Sequence, residues 1–309
     1  MKENKPILEF VEKASLLLGK YYSDYVIAQL KKENTLNILH EIILKSNKAP
    51  SEAVLALLAS IKYFQKDINA FIKLEKNDSF QEFIKDNYDE IVEISINKKV
   101  QGNAPERGLP ILEVLGKMLP VDQIAIIELG ASYGLIGSCL LNYEILLNEN
   151  ALFQFGQKLP QNPKGIEYYV GIDIDPPDKE WLLACCPDMN SATQISNFID
   201  FVQQKNSFQI LKVSAFGFSG LKEIKELIEK KFKIVVLTSF MLYQLDEKKQ
   251  KLLIDEISEF THNIGGHWIY QDVEFPDKEE YQDYFIEWDG TRIIKLMDDS
   301  CSDWNWISK

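Results

Sequence analysis

Arginine is nearly missing from this 309-residue chain: Arg107 and Arg292 are the two present, and lysine carries the rest of the positive charge. Where lysine serves almost everywhere, an arginine marks a place for a planar, forked donor. Histidine is as scarce, with three residues, His40, His262 and His267. Chemistry built on imidazole therefore has few places to go. The four cysteines, Cys139, Cys185, Cys186 and Cys301, show no Cys-x-x-Cys spacing and no neighbouring histidine. That argues against a metal or redox motif and for buried thiols. Excess positive charge is lacking too, and a net charge of −13 excludes non-specific nucleic-acid binding as a property of the whole chain. No apolar run is long enough to span a membrane, and the opening MKENKPILEF lacks the layout of a secretion signal. Glycine and proline are few, and no repeat or low-complexity tract occurs. The expectation is a soluble, cytoplasmic protein of roughly two domains, with no metal, nucleic acid or membrane as partner.

Residues 1–97 read as an all-helical module, with apolar residues at helical spacing in PILEFVEKASLLLGKYYSDYVIAQLKKE. Ser51 is placed to cap SEAVLALLASIKYF, and Asp78-Ser79 to cap FQEFIKDNYDEIVEISI as one helix. The stretch KKVQGNAPERG is a loop by composition, and LPILEVLGKML a short helix. From Ile124 the pattern changes. IAIIEL, YYVGIDI, FQILKVSAF, KIVVLTSFM and HWIYQDV are short apolar runs suited to strands. Helical segments over Leu135–Leu147, Trp181–Phe201 with a break near Pro187, Leu221–Lys231 and Glu247–Phe260 separate them. This alternation predicts an α/β domain over residues 98–309, with a mostly parallel sheet and helices on both faces. DYFIEWDG and TRIIKLMDD, joined at Asp289-Gly290, predict an antiparallel hairpin, and DWNWIS a last short strand.

IIELGASYGLIG, Ile126 to Gly137, has two incompatible readings. Gly130-Ala131-Ser132-Tyr133-Gly134 fits the Gly-x-Ser-x-Gly elbow of serine hydrolases. It also fits a glycine-rich cofactor loop, with Glu128 inside the preceding strand. The hydrolase needs a histidine beyond a strand's carboxyl end. Neither downstream histidine is placed there, since His262 follows a helix and His267 begins the fifth strand. The cofactor reading uses more residues. Gly130 permits a tight turn, Gly134 permits backbone to approach a ligand, and the helix starting near Leu135 suits a polar group at its N-terminus. The second strand ends in GIDIDPP, where Asp173, or next Asp175, can take two ribose hydroxyls. The gap from Gly130 to Asp173 is about twice the ~20 residues of a simple dinucleotide fingerprint. LFQFGQKLPQNPKG fills the excess, as an insertion or lid.

Ser132 stands where a dinucleotide loop prefers its second glycine. The acidic-x-Gly-x-Ser-x-Gly pattern, the acidic residue at the next strand end and the antiparallel finish resemble the S-adenosylmethionine-dependent methyltransferases. VQGNAPERG, IIELGASYGL, GIDIDPPD with WLLACCPD, and VVLTSFMLYQL, in that order, further resemble the bacterial domain-of-unknown-function family 2332. That resemblance is clearest from Val100 to Leu245. It implies a Rossmann-like methyltransferase domain behind a helical N-terminal part. Against that family's pattern, this chain has Ala104 for an acidic residue, Ile136 for an asparagine, Ser214-Ala215 where an aspartate is usual, and Thr238-Ser239 for His-Ser.

The reading assigns S-adenosylmethionine to Glu128, Gly130, Ala131, Ser132, Gly134, Asp173, Ile174 and Thr238. Asn103, Arg107, Ser239 and Tyr243 are the substrate-side candidates, Arg107 for a carboxylate or phosphate. Asp272 and Glu274 complete the polar residues expected near the strand ends, and no general base is assigned among them. The methyl acceptor, a small molecule or a protein, is not specified by the sequence. A protein partner through the helical module is a further expectation. The alternatives are a catalytically inactive relative that works by cofactor or protein binding, and the serine hydrolase at Ser132.

Overall fold

The computed structural model describes residues 7–9, 11–12, 18–19, 22–101, 105–119, 123–149, 159–161, 163, 166–202, 207–274, 283–297 and 303–307. Asn103, Cys301, most of the segment before Tyr22 and most of LFQFGQKLPQNPKG lie outside the described residues. The helices are α1 Asp24–Leu30, α2 Glu33–Ser46, α3 Pro50–Gln65, α4 Ala70–Lys76, α5 Phe80–Asp86, α6 Tyr88–Asn97, α7 Leu109–Met118, α8 Leu135–Glu149, α9 Lys179–Ala184, α10 Met189–Val202, α11 Lys222–Glu229 and α12 Glu247–Ile264. The strands are β1 Ile124–Leu129, β2 Tyr168–Asp173, β3 Phe208–Lys212, β4 Lys233–Ser239, β5 His267–Glu274, β6 Asp283–Trp288, β7 Thr291–Leu296 and β8 Trp304–Trp306. Among the described residues, no helix is long and apolar enough to cross a membrane.

The chain divides into two compact units, Met1–Asn103 with Pro177–Ser196, and Ala104–Pro176 with Asn197–Lys309. The sequence pattern alone predicts a boundary at residue 98, with 177–196 on the sheet side of it. Those residues instead pack with the helices, because α9 carries a large apolar side chain that the helical unit buries. Trp181 is 1% exposed and sits among Ala59, Ala184 and Tyr63. Its indole donates to the Lys99 carbonyl at 2.7 Å. Asp178 caps α9, accepting the Trp181 amide at 2.6 Å and the Lys98 ammonium at 2.7 Å. Asp178→Ala is expected to destabilise this unit by about 1–2 kcal/mol, since it removes a helix cap and a partly exposed ion pair together. Urea unfolding followed by tryptophan fluorescence checks this, and an unchanged midpoint would refute the joint.

The helical core is built from Leu30, Leu39, Ile42, Leu57 and Ile61, among other apolar residues. One expected helix start and one expected helix length differ. α3 begins at Pro50 with Ala49 as its cap residue, so Ser51 lies inside the first turn; proline is favoured there because its missing amide would be unpaired anyway. The single helix expected over FQEFIKDNYDEIVEISI is two, broken at Asn87, whose side chain turns back to the Phe83 carbonyl at 2.8 Å. The Cys185-Cys186 pair ends α9 as inert thiols, with Cys185 pushed up to about 12 by burial. Lys62, 2% exposed, donates to the Cys186 carbonyl at 2.5 Å, and burial lowers its ammonium to about 8.

The second unit is an eight-stranded sheet in the order β3-β2-β1-β4-β5-β6-β7-β8. β3 to β5 are parallel, and β5 to β8 form an antiparallel meander. β1 is buried at every position, as a central parallel strand requires. Ala125, Ile127 and Leu129 face a core that includes Ile224 and Leu227 of α11 and Leu253 and Ile257 of α12. α8 packs against β2 and β3. The hairpin at Asp289-Gly290 forms as expected, with φ of 48° and 76°, because a two-residue turn between twisted strands needs positive φ at both central positions.

Candidate functional site

The strand order reverses between β1 and β4: β2 lies on one side of β1 and the later strands on the other. At such a switch the loops leaving the two strands diverge and open a crevice at their carboxyl ends. The loop from β1 to α8 turns through Gly130 (φ 74°), Ser132 (φ 52°) and Gly134 (φ 74°). Gly130 and Ala131 donate their amides to the Ile172 carbonyl at 2.8 and 3.1 Å. Asp173 ends β2, and its Oδ2 accepts the Ser132 amide at 2.8 Å while Oδ1 accepts the Asp175 amide at 2.9 Å. The carboxylate thus clips the two loops together, and each oxygen keeps lone-pair capacity for a ligand hydroxyl. Ile174, next in the chain, is 71% exposed and stands beside this carboxylate as an uncovered apolar surface.

At two loop glycines the space that a Cβ would occupy is filled by packed side chains. A Cβ on Gly134 would lie 2.7 Å from Ile210 Cδ1 and 2.8 Å from Phe208 Cζ, so its open face is taken by β3. A Cβ on Gly130 would lie 2.5 Å from Met241 Cγ. Glu128 is 2% exposed and faces into the sheet unit, where its Oε2 accepts the Tyr169 hydroxyl at 2.5 Å and the Gly137 amide also donates to the carboxyl. Burial raises its pKa to about 8. Glu128 therefore ties β1, β2 and α8 together as a mostly protonated strut, in place of the cofactor contact expected of it. Alternation along β1 decides this: Leu129 shares a face with Ile127, so Glu128 points the other way.

The β4 side is built around Gln271, a fully buried residue of β5 that is not among the sequence-predicted site residues. Ser239 Oγ donates to Gln271 Oε1 at 2.7 Å, and Gln271 Nε2 donates to the Arg107 carbonyl at 3.1 Å. The Arg107 guanidinium lies over the Phe240 ring, 4.4 Å from its centroid. Arg107, Ser239 and Phe240 are thus gathered at one strand end. Phe240 has φ of 50°, a conformation that costs a non-glycine residue on the order of 1–3 kcal/mol. Ser132 and Phe240 are the described non-glycine residues with positive φ on the carboxyl-end loops of β1 and β4; the others of that kind lie at helix ends and turns elsewhere. Tyr243 is 49% exposed, and its amide points to Asp272 Oδ2 at 3.4 Å. Asp272 is fully buried and its carboxyl is raised to about 6 by that burial. Thr238, expected to touch the cofactor, is buried at 0% exposure with its hydroxyl accepting the Trp268 indole at 3.0 Å, which places it in the sheet core.

The two histidines of this unit stand at the other edge. His262 is in the last turn of α12, and His267 starts β5, bonded through Nδ1 to Asp289 at 2.8 Å. Leu129, Thr238 and Tyr270 share one level of the sheet, so His267 lies about 10 Å below it and Ser132 above it. A serine nucleophile at Ser132 has no imidazole from this unit. Among the described residues, no group of three His, Cys, Asp or Glu side chains is arranged to hold a metal. Neither a family model nor a curated protein matches this chain.

Proposed function

We propose that the sheet unit is a methyltransferase-like domain that binds S-adenosylmethionine at the carboxyl ends of β1 and β2 and directs its methyl group to an acceptor held near β4. The observation that carries the reading is the convergence of the Gly130–Gly134 loop and the Asp173 carboxylate beside the β1/β4 switch point. A carboxylate at a strand end takes ribose hydroxyls, and Ile174 offers an apolar face for a base. The cofactor supplies an electrophilic methyl group when bound. The chain's own residues orient and exclude water: Asp173 fixes the loop, and Arg107 lines the acceptor side, its backbone held by Gln271, which Ser239 in turn positions. Such a transfer requires alignment more than covalent help from the protein.

A second reading has its own support. The carboxyls nearest the site, Glu128 and Asp272, are buried, and Asp173 is engaged by two amides. A protein that binds the cofactor without turnover, or acts through protein contacts of its helical unit, needs no exposed base.

Calorimetric titration with S-adenosylmethionine and with S-adenosylhomocysteine tests both. Micromolar binding that Asp173→Ala weakens at least about tenfold, as loss of a charged hydrogen-bond acceptor should, supports the cofactor site. No binding by folded protein would leave the second reading in its partner-binding form.

A further inference from the structure

We infer that the segment Phe240–Gln244 is a latch on the switch-point crevice, with the Met241 side chain closing against Gly130 and displaced when ligand enters. The inference rests on the cofactor reading above, and adds to it what guards the site. Three observations carry it.

The first is contact. Met241 Cγ and Cβ would lie 2.5 and 2.9 Å from a Cβ on Gly130, so the thioether side chain packs directly on the β1 loop across the switch. The loops that should diverge there are bridged by one flexible, polarizable side chain, the kind that repacks at little cost. The second is strain. The residue before Met241 is Phe240, held at φ 50°, a conformation that persists only where its surroundings impose it.

The third is the set of restraints. The Phe240 amide donates to the Gln271 carbonyl at 2.8 Å, its ring lies under Arg107, and its carbonyl accepts Gln244 Nε2 at 2.7 Å. The Gln244 amide returns to the Met241 carbonyl at 3.1 Å. The first two of these contacts come from the acceptor side of the crevice, through Gln271 and Arg107, and the other two brace the segment internally. The Phe240 ring also meets Tyr284 at 6.2 Å between centroids, so a ligand that draws Arg107 toward itself removes one of two covers and loosens the latch on the cofactor side.

The test compares the parent with Met241→Ala, using S-adenosylhomocysteine as probe. A crevice closed in about nine molecules of ten binds about tenfold more weakly than an open one, so the truncated variant is expected to bind about tenfold more tightly. In the parent labelled with ¹³C-methyl methionine, the Met241 resonance, one of five and assigned with Met241→Leu, is expected to shift on addition of the probe. Equal affinity in both proteins with an unmoved Met241 resonance overturns the latch and leaves the cofactor reading standing. Weaker binding by a folded Met241→Ala would make Met241 a plain wall of the site and also overturn the latch. Binding by neither protein, with both folded, overturns the cofactor reading and the latch with it.

Discussion

Glu128→Gln is expected to make stability less dependent on pH, gaining about 3 kcal/mol on the parent between pH 5 and pH 7.5. The carboxyl has an ordinary value of 4.5 and rises to about 8 in the folded protein, first because it is buried. Asp173 pushes in the same direction, while the Tyr169 hydroxyl and the Gly137 amide oppose it. Below 4.5 both folded and unfolded chains hold the proton, and its contribution is fully present. Between 4.5 and 8 the unfolded chain releases the proton and the folded chain retains it. The unfolded state gains with each step in pH, so stability falls through this window and levels off above 8. Glutamine has no proton to release, still accepts from Tyr169 through its carbonyl, and abolishes the slope.

Other carboxylates, such as Asp178 and Asp67, are lowered by their partners and lose stability toward acid instead. Taking the difference between variant and parent at each pH cancels them. Urea midpoints at intervals from pH 5 to pH 8.5 make the measurement. A difference that stays flat over that range would show that Glu128 ionises normally, and would return it to the list of groups able to meet a cationic ligand.

That residue also shows where sequence reading reaches and where it stops. The parallel sheet was legible because IAIIEL and KIVVLTS each hold four consecutive apolar residues, Ile124–Ile127 and Ile234–Leu237, as strands covered on both faces do. The hairpin was legible because Asp-Gly is chemistry tied to one turn. The loop's position beside Asp173 followed from the strand–glycine–helix pattern. The face on which Glu128 points was not legible, since a strand buried on both sides shows no alternation to fix its register. Nor was Thr238's place in the core, for the same reason. Gln271 left a signal that was read only in part: two polar residues, Gln271 and Asp272, interrupt an apolar strand, and both are fully buried. Phe240 left none, because positive φ in an aromatic residue is imposed by neighbours far away in sequence. The units' division was hidden as well, since the partner that buries Trp181 cannot be inferred from the helix that carries it.

Gly137→Ala is expected to destabilise the sheet unit by about 3 kcal/mol, against the direction of helix propensity. Within a helix, alanine is favoured over glycine by about 1 kcal/mol, and Gly137 lies inside α8 with no positive φ to excuse it. Its added Cβ, however, would lie 2.0, 2.2 and 2.3 Å from Cε2, Cζ and Cδ2 of Tyr169. A tyrosine ring often swings aside cheaply. This one is fully buried, stacked on Phe208 at 5.2 Å between centroids, and bonded through its hydroxyl to Glu128. Moving it breaks that bond and leaves a buried carboxyl short of a donor, which adds about 1–3 kcal/mol to the overpacking cost of similar size. Gly220→Ala is the control, because nothing stands within 4 Å of its added Cβ, and it should leave stability nearly unchanged. Tyr169→Leu in the Gly137→Ala background should recover part of the loss, since it removes the ring that the methyl meets; a double-mutant cycle isolates that coupling. If Gly137→Ala instead raised the unfolding midpoint, propensity alone would govern the position. The close approach of α8 to β2 through Gly137 and Tyr169 would then be wrong.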